Sequence, residues 1–387
     1  DQRVIPVPFN NDAQCCRTTL DGPVTTTCSQ TYNDAVTIAN NPILALSYVT
    51  FNNTVDGTSD LTVNASSGNI TFSGAVGSPT SAIGNLKVKS TGTTAFNQTV
   101  NAASLTTDAV GTTQVNGNVT TTGNQTYGDA ITIANNPILT GKDITFNNTV
   151  TTTNNGTLTI TNAGNLTIEK NLNLDGKFIQ NGAGSVALSG NIATTNDDIS
   201  FSGPVTLNAP VIFDLGTAKI AFGSTLSAGS NPLTLTAGEI DFSGQVSGTG
   251  ALTLQTATAG QDIVVGGTDN TTPALDLTTS EINLIQKGFS SIAIGRSDGS
   301  GNITIPNNLI FSAPVTIQTG TGSIALTANI TGNNNSSITL SGNNVKLGSD
   351  VALNSSDGNV SIAGAIDDTQ RLNINAGKGN ALLPGHI

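Results

Sequence analysis

Residues 125–150 read QTYGDAITIANNPILTGKDITFNNTV, and residues 30–55 read QTYNDAVTIANNPILALSYVTFNNTV. The offset between the copies is a constant 95 residues, from Tyr32 to Tyr127 and from Phe51 to Phe146. An internal repeat of this kind is diagnostic of architecture and takes precedence over local secondary-structure signals. A shorter phrase runs inside the long one. YVTFNNTV, NITFSGAV, TTAFNQTV, DITFNNTV, DISFSGPV, KIAFGSTL and EIDFSGQV are its variants. Their phenylalanines are Phe51, Phe72, Phe96, Phe146, Phe201, Phe222 and Phe242, and within each run neighbours fall 20 to 24 residues apart.

Between these phrases lie apolar-polar-apolar triplets such as Leu61/Val63, Leu86/Val88, Leu158/Ile160, Leu233/Leu235 and Leu252/Leu254. Alternation of period two marks a strand with one buried side. Thr62, Thr159, Thr234 and Thr253 take the outward slot, where a β-branched polar side chain suits a pleated surface. Gly, Asn, Asp and Ser fill the gaps between triplets, as turn geometry demands. The expected fold is all-β, a right-handed parallel β-helix (β-solenoid) with about three short strands per coil of roughly 20 residues. The seven phenylalanines are expected to form its core stack.

Four segments follow from the rhythm. Residues 1–27 form an N-terminal arm or cap with cysteines. Residues 28–260 form a β-helix carrying the 95-residue repeat, 261–300 an irregular coil or lateral decoration, and 301–387 the C-terminal coils. In DQRVIPVPF, Val4, Ile5, Val7 and Phe9 alternate with prolines. Proline excludes a central strand but permits an edge strand, so the segment reads either as a cap over the first coil or as an arm that pairs with another molecule. Cys15, Cys16 and Cys28 are an odd set; one bridge from Cys15 or Cys16 to Cys28 leaves a third thiol over. The segment LTTSEINLIQ holds a short helix near Thr279–Gln286, capped by Thr279 or Ser280 with Glu281 in its first turn. No basic-then-apolar leader precedes the repeats, which reads as a removed signal or a start inside a longer precursor.

Thirteen basic against 25 acidic residues exclude a nucleic-acid partner, which needs clustered Lys and Arg. No apolar run is long enough for membrane insertion. Charged residues are only 10% of the chain, so its surface is mostly Thr, Ser, Asn and Gly, as in extracellular polymers.

The phrases QTYGDAITI, DITFNNTV, NAASLTTDAVGTTQVNGNVTTTGNQTYGDA and GFSSIAIGRSDGSG resemble filamentous-haemagglutinin-like repetitive bacterial exoproteins, of the two-partner-secretion group and cyanobacterial-like type. The likeness covers roughly residues 28–380. It implies a right-handed β-helix, export across an outer membrane, and a secreted, cell-surface role in adhesion or a fibre. Residues 1–27 do not match that group's secretion domain.

For function these readings give a structural subunit that assembles with itself, head to tail, with no cofactor, no metal and no catalytic residue. The alternative is a monomeric adhesin rod that holds a glycan or host surface, with 261–300 as the holding loop. A polysaccharide-lyase-like enzyme is the second alternative, which would need acids such as Asp197, Asp198, Asp262 and Asp269 gathered in one groove. The lone His386 sits too near a terminus for catalysis. Ser297–Asn302 reads as a turn, with calcium at Asp298 as the rival. Sequons begin at Asn52, Asn64, Asn69, Asn97, Asn118, Asn124, Asn147, Asn165, Asn302 and Asn329, which makes each a glycosylation candidate in a chain where Asn and Thr are in any case abundant.

Overall fold

The computed structural model describes residues 3–4, 9–11, 17–269, 273–367 and 369–384. It is nearly all β, with short parallel strands stacked as a β-solenoid, in two compact units, 1–187 and 188–387.

In the first unit one coil is Val49–Phe51, Val55–Gly57 and Leu61–Ala65, and Ile70–Phe72 begins the next. The register sets like on like: Val49 beside Ile70, Phe51 beside Phe72, Val63 beside Val88. No triplet can bury its apolar side within its own coil, so the stacking of coils supplies the core. Phe51, Phe72, Phe96, Phe146, Phe201, Phe222 and Phe242 are all buried.

They do not form one stack. Tyr32, Phe51, Phe72 and Phe96 lie in one ladder, their rings face to face at 4.9–5.3 Å. That ladder continues through Val115 and Ile133 to Thr152. Phe146 stacks on Tyr127 instead. The register Leu105 to Gln125 and Thr106 to Thr126 places that pair on another side of the coil, in line with Leu44, Val63 and Val88. The second copy of the repeat is therefore turned by one side relative to the first. The cause is arithmetic: 95 residues carry the chain past four whole coils, from Tyr32 to Val115, and two strands further. Every side uses the same triplet, so the copy fits where it lands. In the second unit Phe201, Phe222 and Phe242 form their own ladder at 5.5 and 5.8 Å, with Phe213 set edge-on to Phe201 and Phe222.

The repeated phrases have local causes. In QTY the buried Tyr127 hydroxyl donates to Gln125 Oε1 at 2.9 Å, and Tyr32 makes the same bond to Gln30. A buried phenol needs such a partner, so Gln and Tyr recur together. In IANNP the backbone turns through positive φ at Asn40, Asn41 and Asn135. All non-glycine residues with positive φ among those described are asparagines, the side chain that best tolerates the left-handed region. In FSGxV, Gly74 and Gly244 stack directly on the turn below; a Cβ on Gly74 would lie 2.4 Å from the Asn53 carbonyl carbon.

Asparagine has a second task. Its side-chain oxygen accepts a backbone N–H one coil further on. Asn41 serves Asp60, Asn118 serves Ile138, Asn136 serves Thr157, Asn302 serves Ser323 and Asn359 serves Asn380, at 2.8–3.1 Å. Asp60, Asp143 and Asp350 do the same for Asn85, Asn165 and Arg371. These groups carry the ladder across the turns, where strand carbonyls are lacking.

At the N-terminus Arg3–Val4 pairs in parallel with Val24–Thr25, and Phe9–Asn11 with Gln30–Tyr32. Val4 and Phe9 thus lie in strands that join the chain's own ladder; Ile5 and Val7 fall outside the described residues.

Candidate functional site

The second unit departs from its rhythm between Leu252 and Ile292. Leu252 pairs with Ile292, a step of forty residues where its neighbours step by about twenty. The extra chain goes up a rung and comes back. Ile263–Gly267 pairs on one edge with Ile303–Ile305 and on the other with Leu275–Thr278, which follows it in sequence but lies beside the earlier strand Glu239–Phe242. A helix, Thr279–Leu284, then leads to Ile285, which bridges Val246. The helix falls where Thr-Ser-Glu signalled it, but Thr278 is the cap. Its hydroxyl accepts the Glu281 N–H, and Glu281 reaches back to the Thr278 N–H, a capping box.

Carboxylates close the seam around the returning strand. Glu281 Oε1 accepts the Phe242 N–H at 3.0 Å, and Glu239 Oε2 accepts the Asp276 N–H at 3.2 Å. Burial pushes the Glu239 carboxyl up to about 7; the Asp276 N–H opposes this, while Asp241, Asp276 and Glu281 add to it. Burial likewise raises Glu281 against the three hydrogen bonds it accepts.

Outside the seam lies a cleft of about 940 Å³. Asp198, Lys219, Glu239, Asp262 and Asp269 line it, with Thr217, Gln261 and Thr304 between them. The acids scattered along the sequence at 198, 262 and 269 therefore meet in one place. Two of them also hold backbone: Asp198 accepts the Lys219 N–H and Asp262 the Asn302 N–H. Lys219 forms an ion pair with Asp241. Partial burial pulls the Lys219 ammonium down, but the Asp241 bond and the Asp269 and Glu239 charges outweigh it and leave its pKa above the ordinary value. A carboxyl titrating near neutrality is equipped for proton transfer. An amine held protonated is not equipped to abstract a proton, which is the role a lyase asks of its lysine.

The other candidates fall as follows. Arg296 grips Asp298 with two bonds of 2.9 Å and donates to the Thr256 and Ala257 carbonyls, so the 297–302 turn is braced by guanidinium. Among the described residues no group of three or more His, Cys, Asp or Glu could hold a metal ion. Cys28 is half-buried, its N–H donating to Thr26 Oγ1; Cys15, Cys16 and His386 lie outside the described residues. Of the sequon asparagines, Asn69, Asn118, Asn302 and Asn329 use their side-chain oxygens as inter-coil acceptors. Asn97 and Asn165 accept from Asn116 and Ser185, and Asn52 donates to Asn33. Asn124 and Asn147 are exposed, and Asn64 is half-buried.

By fold the protein is a repeat β-solenoid. The family model described as Toastrack DUF4097 matches residues 148–363, more than half of the chain, and the chain belongs to that family. No curated protein and no solved structure matches it.

Proposed function

We propose that the protein is a non-enzymatic structural subunit of an extracellular filament or surface fibre, joined head to tail to copies of itself. The observation that carries this reading is that the outermost strands of the described structure run parallel and pair on one edge within it. Among the described residues Leu372–Asn375 pairs with Val351–Ser355 alone, and Ala381–Leu382 with Val360–Asp367 alone. Arg3–Val4 and Phe9–Asn11 likewise pair on one edge alone among the described residues. Leu382 and Leu383 are exposed beside the C-terminal edge. Unpaired edges are templates for strand addition. Because all these strands run parallel, a C-terminal edge of one copy suits the N-terminal edge of the next, and such a contact does not close on itself. The haemagglutinin-like phrases support secretion and a surface location.

Negative-stain microscopy of the full chain tests the proposal. Filaments are expected; a chain lacking residues 1–27 should give only single particles. Normal filaments from the shortened chain would refute the role of that end. A second reading, a monomeric adhesin that binds a glycan or host matrix, draws on the cleft beside 261–300. The Glu239 carboxyl, near 7 in that cleft, supports a third, a lyase-like enzyme; turnover of an acidic polysaccharide that disappears in Glu239→Gln would favour it.

A further inference from the structure

The chain contains three tyrosines and no tryptophan. Tyr32 and Tyr127 are buried in the core, but Tyr48 is 50% exposed. Its ring lies against Gly68 one coil on; a Cβ there would sit 2.0 Å from Tyr48 Cδ1, so only glycine lets the ring settle on the backbone. The backbone beneath is fixed, with the Gln30 N–H on the Tyr48 carbonyl and the Val49 N–H on the Asn69 carbonyl. Around the ring is an open hollow of about 460 Å³ lined by Tyr48, Thr50, Gly68, Asn69 and Thr71. Thr50 and Thr71 are paired on successive rungs, with Thr31 on the rung before. None of the lining residues is charged.

We propose that this hollow binds a neutral oligosaccharide of equatorially linked pyranose units, one sugar stacked on Tyr48 and its neighbours hydrogen-bonded along the threonine row. The face of an aromatic ring is electron-rich and attracts the axial C–H side of a pyranose. Threonine hydroxyls offer both donor and acceptor to sugar hydroxyls. The absence of charge argues for a neutral glycan over an acidic one. A shallow hollow beside a row of parallel rungs suits an extended polymer, and a pre-set ring and backbone lower the ordering cost of binding. The inference deepens the glycan-binding reading but moves it to the first unit, away from the cleft around Glu239.

Tyrosine emission tests it, since the two other tyrosines are shielded. Full-length protein made in a host without N-glycosylation, so that Asn69 is unmodified, is titrated with cellopentaose and with penta-N-acetylchitopentaose; a sulfated heparin pentasaccharide serves as the charged control. A saturable change with at least one neutral sugar and none with the control is expected. Affinity should fall about tenfold or more in Tyr48→Ala and persist in Tyr48→Phe and Glu239→Gln. Isothermal calorimetry follows the Ala and Phe variants, and circular dichroism verifies their fold. Binding unchanged in Tyr48→Ala but lost in Glu239→Gln would overturn this site and leave the glycan reading to the cleft. No saturable binding of either neutral sugar would overturn the proposal.

Discussion

Phe72 lies between two parallel rings, Phe51 at 4.9 Å and Phe96 at 5.3 Å, and is almost fully buried. Its side chain therefore contributes area and ring stacking to three coils at once. Phe72→Ala is expected to destabilise the first unit by about 3–5 kcal/mol, read as a lower denaturant midpoint in urea. Asparagine makes a smaller and more frequent contribution. Asn136→Ala removes the acceptor for the Thr157 N–H and should cost about 1–2 kcal/mol. At Asn135, where φ is +62°, glycine should be tolerated and alanine should cost about 1 kcal/mol. The inward triplets were readable because their period is that of a strand. The inter-coil task of asparagine was not, since a turn residue and a ladder acceptor look alike in sequence. The same ambiguity covers the sequons: Asn69 and Asn118 occupy positions that the ladder itself demands.

Among the elements, the there-and-back excursion of residues 261–290 is the least regular. Its helix was legible in Thr-Ser-Glu, whose capping chemistry is local. The return of Leu275–Thr278 to the strand before it was not, because that pairing depends on contacts some forty residues away. Nor was the cleft, whose acids come from three separate coils. The seam has a pH signature. Glu239 binds its proton more tightly folded than unfolded, with a pKa near 7 against an ordinary value of about 4.5. Stability is therefore highest below the unfolded pKa and falls as pH rises between these values, after which it levels. Hydrogen exchange at residues 275–284, corrected for intrinsic rate, should show more frequent opening at pH 8 than at pH 5. Glu239→Gln should reduce the difference, since the amide oxygen still accepts the Asp276 N–H, and leave the share that Glu281 carries. Thr278→Ala should loosen the same segment at all pH values, by about 1 kcal/mol.

On the scale of the whole chain, the repeat decided the fold class correctly, and the stacking logic needed nothing beyond it. What it concealed was the side on which each phrase falls, since all sides of a coil share one vocabulary. A direct test is excision. Removing residues 202–222 joins Phe201 to Gly223 and deletes one full coil of the second unit, which should leave a folded protein with cooperative unfolding. Removing only 202–208 takes out a single strand and turn. It shifts every later strand of that unit by one side together, so the seam keeps its partners at Phe242, Asp276 and Thr278 and exchange protection at 275–284 should persist, while the Lys219 N–H, across the cut, loses its Asp198 acceptor.

The one-side rotation between the two QTY copies bears on how such a chain lengthens. A tandem duplication need not be a multiple of the helical pitch to be accommodated. Unequal recombination between phrases of any phase yields a product that still winds, and each event carries an identical set of corners to a new azimuth. Molecular growth is thereby freed from phase-keeping, and one ancestral loop can come to face several directions.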